Sequence, residues 1–368
     1  MDYFRYEGGR LLCEDVPLED IAREVGTPVY VYSMGTLARH FRVFDEAFAE
    51  IPHMVCFAMK ANSNMAVVGT FAGMGGGADV VSGGELYRAM RAGVPPGRIV
   101  YAGVGKTAAE IEYALKSGIL MFNIESGEEL YAIDEAAGRL GLRAPVALRV
   151  NPDVDPGTHP YISTGLRKNK FGIAIERALE EYRTAAGLAN VEVVGIHQHI
   201  GSQLTEAAPF VDSLAKTVPL ARTLKEEGFP IKYIDVGGGL GIRYSDERPP
   251  EPAELARELM PLLKDTGCTL IFEPGRVLVG NAGCLVTEVL YRKSTGAKNF
   301  VIVDAGMNDL IRPTLYDAYH EVRPVNLTEG GGEFLADVVG PICETGDFLA
   351  KDRLMQVPAR GDLLAVMS

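Results

Sequence analysis

The stretch MVCFAMKAN, residues 54–62, shows the pattern that decides the fold: a short apolar run ends in a polar side chain, here Lys60. Such runs alternate with amphipathic stretches through the first three quarters of the chain, which is typical of repeated βα units around a parallel sheet. Eight runs are predicted to be strands: Met54–Met59, Ala78–Val81, Arg98–Tyr101, Ile119–Ile124, Val146–Val150, Val191–His199, Ile231–Val236 and Thr269–Glu273. Clear helical patterns are Ala108–Lys116, Gly127–Arg139, Ala207–Glu227 and Met34–Glu50, the last of which precedes the first strand.

Eight strands and eight helices over roughly 240 residues fit a (β/α)₈ barrel, whose usual size is ~250 residues. After Glu273 the pattern changes to strand-like segments separated by Gly, Pro and Asn clusters: Cys284–Lys293, Phe300–Asp304 and Phe334–Val339. Residues 1–32 also look strand-like. We therefore predict an α/β protein with a barrel over residues 33–273 and an antiparallel, β-sandwich-like domain from residues 1–32 and 274–368.

Composition excludes several classes of function. Lys and Arg number 36 against 49 Asp and Glu, so the net charge is −13 and the overall field repels phosphate backbones and anionic lipid. Five scattered cysteines, never spaced as CxxC, favour neither a disulfide framework nor a zinc site. A signal-peptide pattern and apolar runs of ~18 residues are both missing. We expect a cytoplasmic protein without nucleic-acid or membrane partners.

Functional residues of a parallel barrel lie where strands end and βα loops begin. Lys60 follows an apolar approach, a position where Schiff-base chemistry becomes possible, although a surface lysine with a buried stem is the plainer alternative. The sixth run ends in His197-Gln198-His199, and alternation puts both histidines on one side of the strand. Zinc is disfavoured because no third ligand stands nearby in the sequence. His199 can instead stack on a planar ligand, and His197 suits a hydrogen-bonded core position.

Two further strand ends suggest an anion site. Gly237-Gly238-Gly239 follows the seventh run, and successive glycines let backbone N–H groups approach a phosphate. The eighth run ends in Glu273-Pro274-Gly275-Arg276, which adds a carboxylate and a guanidinium. Together they suggest a phosphorylated ligand with one further basic or protonated atom. Asp79 ends the second run and offers either a second carboxylate or, with Ser82-Gly83-Gly84, a helix N-cap.

Two segments after the barrel are dense in functional side chains. Residues 306–320, GMNDLIRPTLYDAYH, show neither helical nor strand periodicity and are either solvated or a binding surface. Residues 340–347, GPICETGD, place Cys343 beside Glu344 in a Gly/Pro turn. On its own, a cysteine in such a turn is more often an inert apolar side chain.

Six segments in this order and spacing resemble a known family: FAMKAN, HIGSQ, GGGLG, EPGR, GMNDLIRPTLYDAYH and GPICETGDFL. The sequence is similar to the pyridoxal-phosphate-dependent decarboxylases that combine an alanine-racemase-like (β/α)₈ barrel with a β domain. The resemblance runs from CEDVPL near residue 13 to the last residue. Family members continue past that point with further β structure and a tyrosine near the cofactor, and no residue here corresponds to it.

The resemblance implies pyridoxal 5'-phosphate as the cofactor and gives roles to individual residues. Lys60 would bond covalently to the cofactor, His199 would stack on its ring, and Glu273 would face the pyridine nitrogen. A carboxylate there keeps the ring protonated, so that it can absorb the electrons released with CO₂. Cys343 would then protonate the carbon. The expected cofactor-binding set is Lys60, Asp79, His199, Ser202, Gly239, Glu273, Gly275 and Arg276.

The most similar family members decarboxylate meso-2,6-diaminopimelate to L-lysine and CO₂, the last step of lysine biosynthesis. This substrate carries an amino acid at both ends, so a selective site must pair the distal carboxylate and ammonium. The expected substrate-binding residues are Arg276, Arg312, Tyr316 and Glu344.

Other functions stay open at this point. Within the fold, a decarboxylase of ornithine, arginine or a carrier-bound amino acid is the alternative. A non-catalytic pyridoxal-phosphate carrier is disfavoured because Lys60 and Cys343 occur together, and a carrier needs no acid to protonate carbon. A sugar-phosphate enzyme is disfavoured because it has no use for a Lys–Glu–Cys set. The family places its cysteine loop across a two-fold dimer interface. The resemblance therefore also implies a homodimer with shared active sites.

Overall fold

The computed structural model describes residues 2–155, 157, 164–165, 169–328 and 332–368. These residues form two compact units. The β unit comprises residues up to Leu37, Arg243–Glu247 and Gly280–Ser368, and the barrel unit comprises the described residues of Ala38–Ile242 and Arg248–Val279. Domain boundaries at residues 33 and 273 stay a prediction.

The chain begins in the β unit with three short antiparallel strands, β1 (Phe4–Glu7), β2 (Arg10–Cys13) and β3 (Val16–Pro17). Helix α1 (Leu18–Val25) and strand β4 (Val29–Tyr32) follow. The helix corrects the expectation that residues 1–32 are strand-like. Its apolar residues recur at helical spacing behind Pro17, with Leu18 and Ala22 buried.

The barrel unit is built on eight parallel strands that close on themselves, because the last of them pairs with the first. In chain order the eight barrel strands are β5 (His53–Ala58), β6 (Gly77–Val80), β7 (Ile99–Tyr101), β8 (Met121–Ile124), β9 (Ala144–Asn151), β11 (Val191–His197), β12 (Tyr233–Gly237) and β13 (Thr269–Phe272). A further two-residue strand, β10 (Ile173–Ala174), pairs in parallel with the end of β9. The predicted (β/α)₈ barrel is confirmed, and each predicted strand overlaps an observed one.

Helices alternate with these strands as predicted. They are α2 (Met34–Ala47), α3 (Met65–Gly73), α4 (Gly83–Arg91), α5 (Ala108–Ser117), α6 (Gly127–Leu140), α7 (Ile175–Ala186), α8 (Ala208–Glu226), α9 (Pro252–Leu263) and the single turn α10 (Arg276–Val279). Within the described part of the chain, no helix combines the length and the apolar character needed to cross a bilayer.

A layer of buried apolar side chains, one from each of six strands, fills the inside of the barrel. Its members are Cys56, Val100, Met121, Ala147, Val194 and Ile271. Side chains on one face of a strand recur every second residue, so positions two residues further along lie one layer closer to the carboxyl end. Those positions include Asn123, Arg149 and Glu273. Polar side chains therefore replace apolar ones at the carboxyl end of the barrel.

The rest of the β unit is mostly antiparallel, as expected. Its elements are β14 (Gly283–Ser294), β15 (Asn299–Val303), α11 (Arg312–Tyr316), β16 (Val322–Pro324), β17 (Glu333–Val339), β18 (Phe348–Gln356) and β19 (Leu363–Met367). The strand order is β16-β19-β14-β15-β17-β18, β4 pairs with β14, and only β15 and β17 run parallel within this sheet. The sequence analysis missed β18, because its register against β17 shifts and Asp352 has a φ of 51°, which disrupts the alternation of apolar and polar residues.

Candidate active site

Lys60 and Asp79 face each other at the ends of the first two barrel strands. Lys60 lies in a 3₁₀ turn, Met59–Ala61, directly after β5, and its side chain is 52% exposed. Its Nζ lies 3.8 Å from Oδ2 of Asp79, which is buried in β6. The stretch after Asp79 caps a helix, since Oγ of Ser82 accepts from the amide of Glu85 at 3.2 Å, and Asp79 itself faces the lysine.

Asp79 is an unusual acid. Neither of its carboxyl oxygens accepts a hydrogen bond from the described residues. Burial and the nearby charge of Glu273 raise the pKa of Asp79 to about 8, and Lys60 offsets this shift only in part. Its carboxyl group is therefore largely protonated at neutral pH when only protein groups surround it.

His199 is held as a fixed, uncharged ring just beyond the end of β11. Its Nδ1 accepts a hydrogen bond from the Gly238 amide at 3.1 Å, so the neutral ring carries its proton on Nε2. Its carbonyl oxygen accepts from Nη2 of Arg149 at 3.2 Å and from Oγ1 of Thr164 at 2.9 Å. Burial and the positive charges of Lys60 and Arg149 lower the pKa of His199 well below its ordinary value.

Arg149 belongs to a buried ion pair that the sequence analysis missed. Its Nη1 donates to Oε1 of Glu125 at 2.6 Å, and Oε2 of Glu125 accepts from the Gly172 amide at 2.8 Å. Removal of one partner from a buried pair leaves an uncompensated charge. The pair therefore fixes the backbone that carries His199.

Glu273 is the central buried carboxylate, directly after β13. Its Oε1 accepts from Nδ2 of Asn123 at 3.1 Å, and its Oε2 lies 3.4 Å from Nε2 of His197. Burial alone would raise the pKa of Glu273, but His197 and the Lys60 ammonium outweigh it and lower that pKa to about 2. Glu273 is therefore ionised, and His197 is buried beside this carboxylate.

The loops after β12 and β13 form a compact polar turn. Nη2 of Arg276 donates to Oγ of Ser202 at 3.1 Å. Gly239 has a φ of 127°, and a Cβ on Gly238 would lie 2.1 Å from the carbonyl oxygen of Glu273, so only glycine permits this approach. A Cβ on Gly275 would lie 3.0 Å from the Cβ of Ala61. The barrel unit thus brings together all eight residues of the expected cofactor-binding set at strand ends or in the loops that follow them.

The other four expected site residues lie in the β unit. Nη1 of Arg312 contacts Nε2 of His320 at 2.9 Å, and its guanidinium lies 4.4 Å from the centre of the Tyr244 ring. Tyr316 ends the same short helix, α11. Cys343 and Glu344 are exposed in the turn between β17 and β18. Oγ1 of Thr314 donates to the carbonyl oxygen of Gly346 at 2.5 Å, so α11 and the cysteine turn are held side by side.

Donor atoms of His197, Asp235 and Glu273 lie within 4.8 Å of one another, the spacing of a metal-ligand set. His199 is not part of this cluster, so His197 and His199 do not form a histidine pair there. Asp235 and Asn123 were not singled out in the sequence analysis. The available signal is that each is a polar residue inside an otherwise apolar parallel strand, in MFNI and YIDVG.

An eight-stranded barrel with this polar carboxyl end and an attached β unit defines a class of protein. The family described as "Pyridoxal-dependent decarboxylase, pyridoxal binding domain" matches residues 34–280. The chain belongs to this family.

Within that class, its relatives point to one activity. It is 53% identical to the diaminopimelate decarboxylase of Vibrio cholerae serotype O1 and 52% identical to that of Aquifex aeolicus, over 100% of this chain and 88% and 87% of those relatives. The solved diaminopimelate decarboxylase of Helicobacter pylori, complexed with L-lysine, has a TM-score of 0.92 and 42% identity, over 95% of this chain and 88% of that one.

Asp79→Asn tests the charge balance of the cofactor-free protein. Because the pKa of Asp79 is about 8 when folded and 3.8 ordinarily, the folded state holds an extra proton between these values. Stability should therefore fall as pH rises through this window. Between pH 5 and pH 8, the parent is expected to lose roughly 3.5 kcal/mol more than Asp79→Asn in urea unfolding. The exposed Asp15→Asn should behave like the parent. Equal pH slopes for the parent and Asp79→Asn would contradict this assignment.

Proposed function

We propose that this chain decarboxylates meso-2,6-diaminopimelate to L-lysine and CO₂ with pyridoxal 5'-phosphate, the last step of lysine biosynthesis. The observation that carries the proposal is the juxtaposition, at one end of the barrel, of Lys60, a neutral His199 and an ionised Glu273 beside the Arg276 turn. Relatives of about 50% identity over the whole chain support the substrate.

The residues present fit the cofactor. Arg276 and the Ser202 hydroxyl offer a cation and a donor for a phosphate, next to glycines that leave no room for side chains. Lys60 supplies a primary amine for an aldehyde carbon. Glu273 is a buried carboxylate that suits a protonated ring nitrogen. The phosphate, the aldehyde carbon and the ring nitrogen of pyridoxal phosphate therefore each have a matching residue.

When bound, pyridoxal phosphate supplies a ring that takes up the electron pair left when CO₂ departs. Glu273 would hold the proton on the ring nitrogen through its ionised carboxylate, which is the protein's main electrostatic contribution. His199, uncharged and anchored by Gly238, would pack on the ring face without adding a competing positive charge. Lys60 would retain the cofactor covalently until the substrate amine replaces it.

The β-unit residues would complete the reaction. Cys343 would deliver a proton from Sγ to the substrate carbon, and the exposure of its side chain leaves it accessible for that task. Arg312 would pair with the distal carboxylate, Glu344 would pair with the distal ammonium, and Tyr316 and Arg276 would line the same substrate. A site with both charges discriminates against ornithine and arginine, which lack the distal carboxylate, because its own groups would be left unpaired.

An exposed apolar patch supports a homodimer with exchanged active-site residues. Four large apolar side chains on α11, its flanks and the cysteine turn are exposed: Ile311, Leu315, Tyr319 and Ile342. Exposed apolar groups clustered around functional residues are typical of interaction sites. A two-fold dimer would cover this surface and let each subunit provide Cys343 and Glu344 to its partner.

The activity is tested by CO₂ release from a panel of amino acids. The holoenzyme is expected to convert meso-2,6-diaminopimelate to L-lysine at a kcat/KM at least about a hundredfold above that for ornithine or arginine. Lys60→Ala should lose turnover and the yellow chromophore, and borohydride reduction of the parent should mark the Lys60 peptide. A marked Lys170 peptide would refute the lysine assignment, and preferred release from ornithine or arginine would refute the substrate.

Mixed dimers test the shared site. Lys60→Ala and Cys343→Ala should each be inactive, but after subunit exchange their mixture should regain about a quarter of parental activity, since half of the dimers would have one intact site out of two. A mixture of Lys60→Ala with Glu273→Ala is the matched control and should stay inactive, because both residues come from the same barrel. If exchange is verified by mass and the first mixture stays inactive, the shared-site arrangement is wrong.

A further inference from the structure

Three carboxyl groups are buried together at the carboxyl end of the barrel, and only Glu273 has a role in the proposed reaction that requires a charge. Asp79, Asp235 and Glu273 are all at most 4% exposed. Neighbouring carboxyl groups buried in a medium of low dielectric cannot all be ionised, so the surroundings must determine which of the three is charged. The ammonium of Lys60 lies near Asp79, but the Lys60 side chain is half exposed to solvent.

Asp235 and Glu273 are joined by one amide. Nδ2 of Asn123 donates to Oδ2 of Asp235 at 3.0 Å and to Oε1 of Glu273 at 3.1 Å. Oδ1 of Asp235 accepts from the Gly237 amide at 3.0 Å, which fixes the acid against the glycine turn. Both oxygens of Asp235 are thus held, and one of them lies within 4.8 Å of a carboxyl oxygen of Glu273.

The charges around the pair favour one distribution. Burial and the negative charge of Glu273 raise the pKa of Asp235 well above its ordinary value, and they outweigh the hydrogen bonds from Asn123 and the Gly237 amide, which act in the opposite direction. His197, by contrast, lies 3.4 Å from Glu273 and contributes to stabilising its ionised form. A protonated Asp235 beside an ionised Glu273 also avoids two adjacent buried negative charges.

We infer that Asp235 is a positioning residue: as an uncharged acid bridged by Asn123, it holds Glu273 as the ionised partner of the cofactor's ring nitrogen. The inference rests on the proposed function, since it assigns Glu273 to that nitrogen. Asp235 itself need not touch cofactor or substrate. A purely structural role, in which Asp235 only ties down the Gly237 turn, is the competing explanation.

Ligand binding to the cofactor-free protein separates the two explanations. The probes are pyridoxal phosphate and its analogue with carbon in place of the ring nitrogen. The parent is expected to bind pyridoxal phosphate at least about tenfold more tightly, because only that ligand presents a ring N–H to Glu273. Asp235→Ala should lose most of this preference while its affinity for the carbon analogue stays within about threefold of the parent. In the holoenzyme, its kcat should fall about tenfold or more with little change in KM.

Two further variants sharpen the test. Asp235→Asn keeps the size and the absence of charge, so it should retain the preference for the nitrogen-containing ligand. Cys56→Ala is the matched control, since it truncates a fully buried side chain inside the barrel that donates to the Arg98 carbonyl oxygen. It should leave the preference unchanged. The double variant Asp235→Ala/Glu273→Gln should lose no more preference than Glu273→Gln alone, because the two residues act through one contact.

Several outcomes would overturn the inference. One is that Asp235→Ala keeps the parental preference, and another is that Asp235→Ala binds both ligands equally more weakly. A third is that Asp235→Asn loses the preference, which would mean that a charged Asp235 is needed. If Asp235→Ala does not fold, Asn123→Ala is tested instead, because it removes the bridge and should also lose most of the preference for pyridoxal phosphate. Failure of the parent to bind pyridoxal phosphate at all would instead refute the proposed function, and the inference with it.

Discussion

Charge is costly to bury, and the carboxyl end of this barrel buries Asp79, Asp235 and Glu273 close together. The site is workable only if one of them is ionised. The pKa values of Asp79 and Asp235 are raised and that of Glu273 is lowered, so the negative charge is confined to the group that the proposed reaction needs.

The barrel makes such a selection possible because its strands are parallel and in fixed register. Met121, Ala147 and Ile271 form part of an apolar layer, and the next inward position on each strand is Asn123, Arg149 or Glu273. Hydrogen-bonding groups from different strands therefore lie in one layer, next to the apolar layer inside the barrel. The glycine turn after β12 then completes the site, since the Gly238 amide fixes the proton of His199 on Nε2.

Much of this arrangement could be predicted from the sequence, and the reasons for the gaps are physical. The strand ends marked by Lys60 and Glu273 stand out because apolar runs stop abruptly at polar residues. Asn123 and Asp235 do not stand out, since one polar residue within an apolar strand says nothing about which residue on another strand it meets. The Arg149–Glu125 pair joins β9 to the residue after β8, a contact that depends on barrel register. Strand β18 is hidden by its irregular register and by Asp352.

In the proposed function, the β unit supplies the groups that would distinguish one amino-acid substrate from another. Arg312 and Glu344 have opposite charges, and the Thr314–Gly346 hydrogen bond holds their segments together. Under the proposed function, selective binding of the distal end would have no effect on turnover unless the ring nitrogen also stayed protonated.

The most direct measurement of this account is the ¹⁵N chemical shift of the cofactor's ring nitrogen in protein reconstituted with labelled pyridoxal phosphate. An ionised Glu273 predicts the shift of a protonated pyridinium, unchanged from pH 6 to pH 9, and loss of that signature in Glu273→Gln. A nitrogen in the parent protein that resonates as neutral pyridine, or that titrates within this range, would contradict the claim that Glu273 is the charged member of the buried carboxyl cluster.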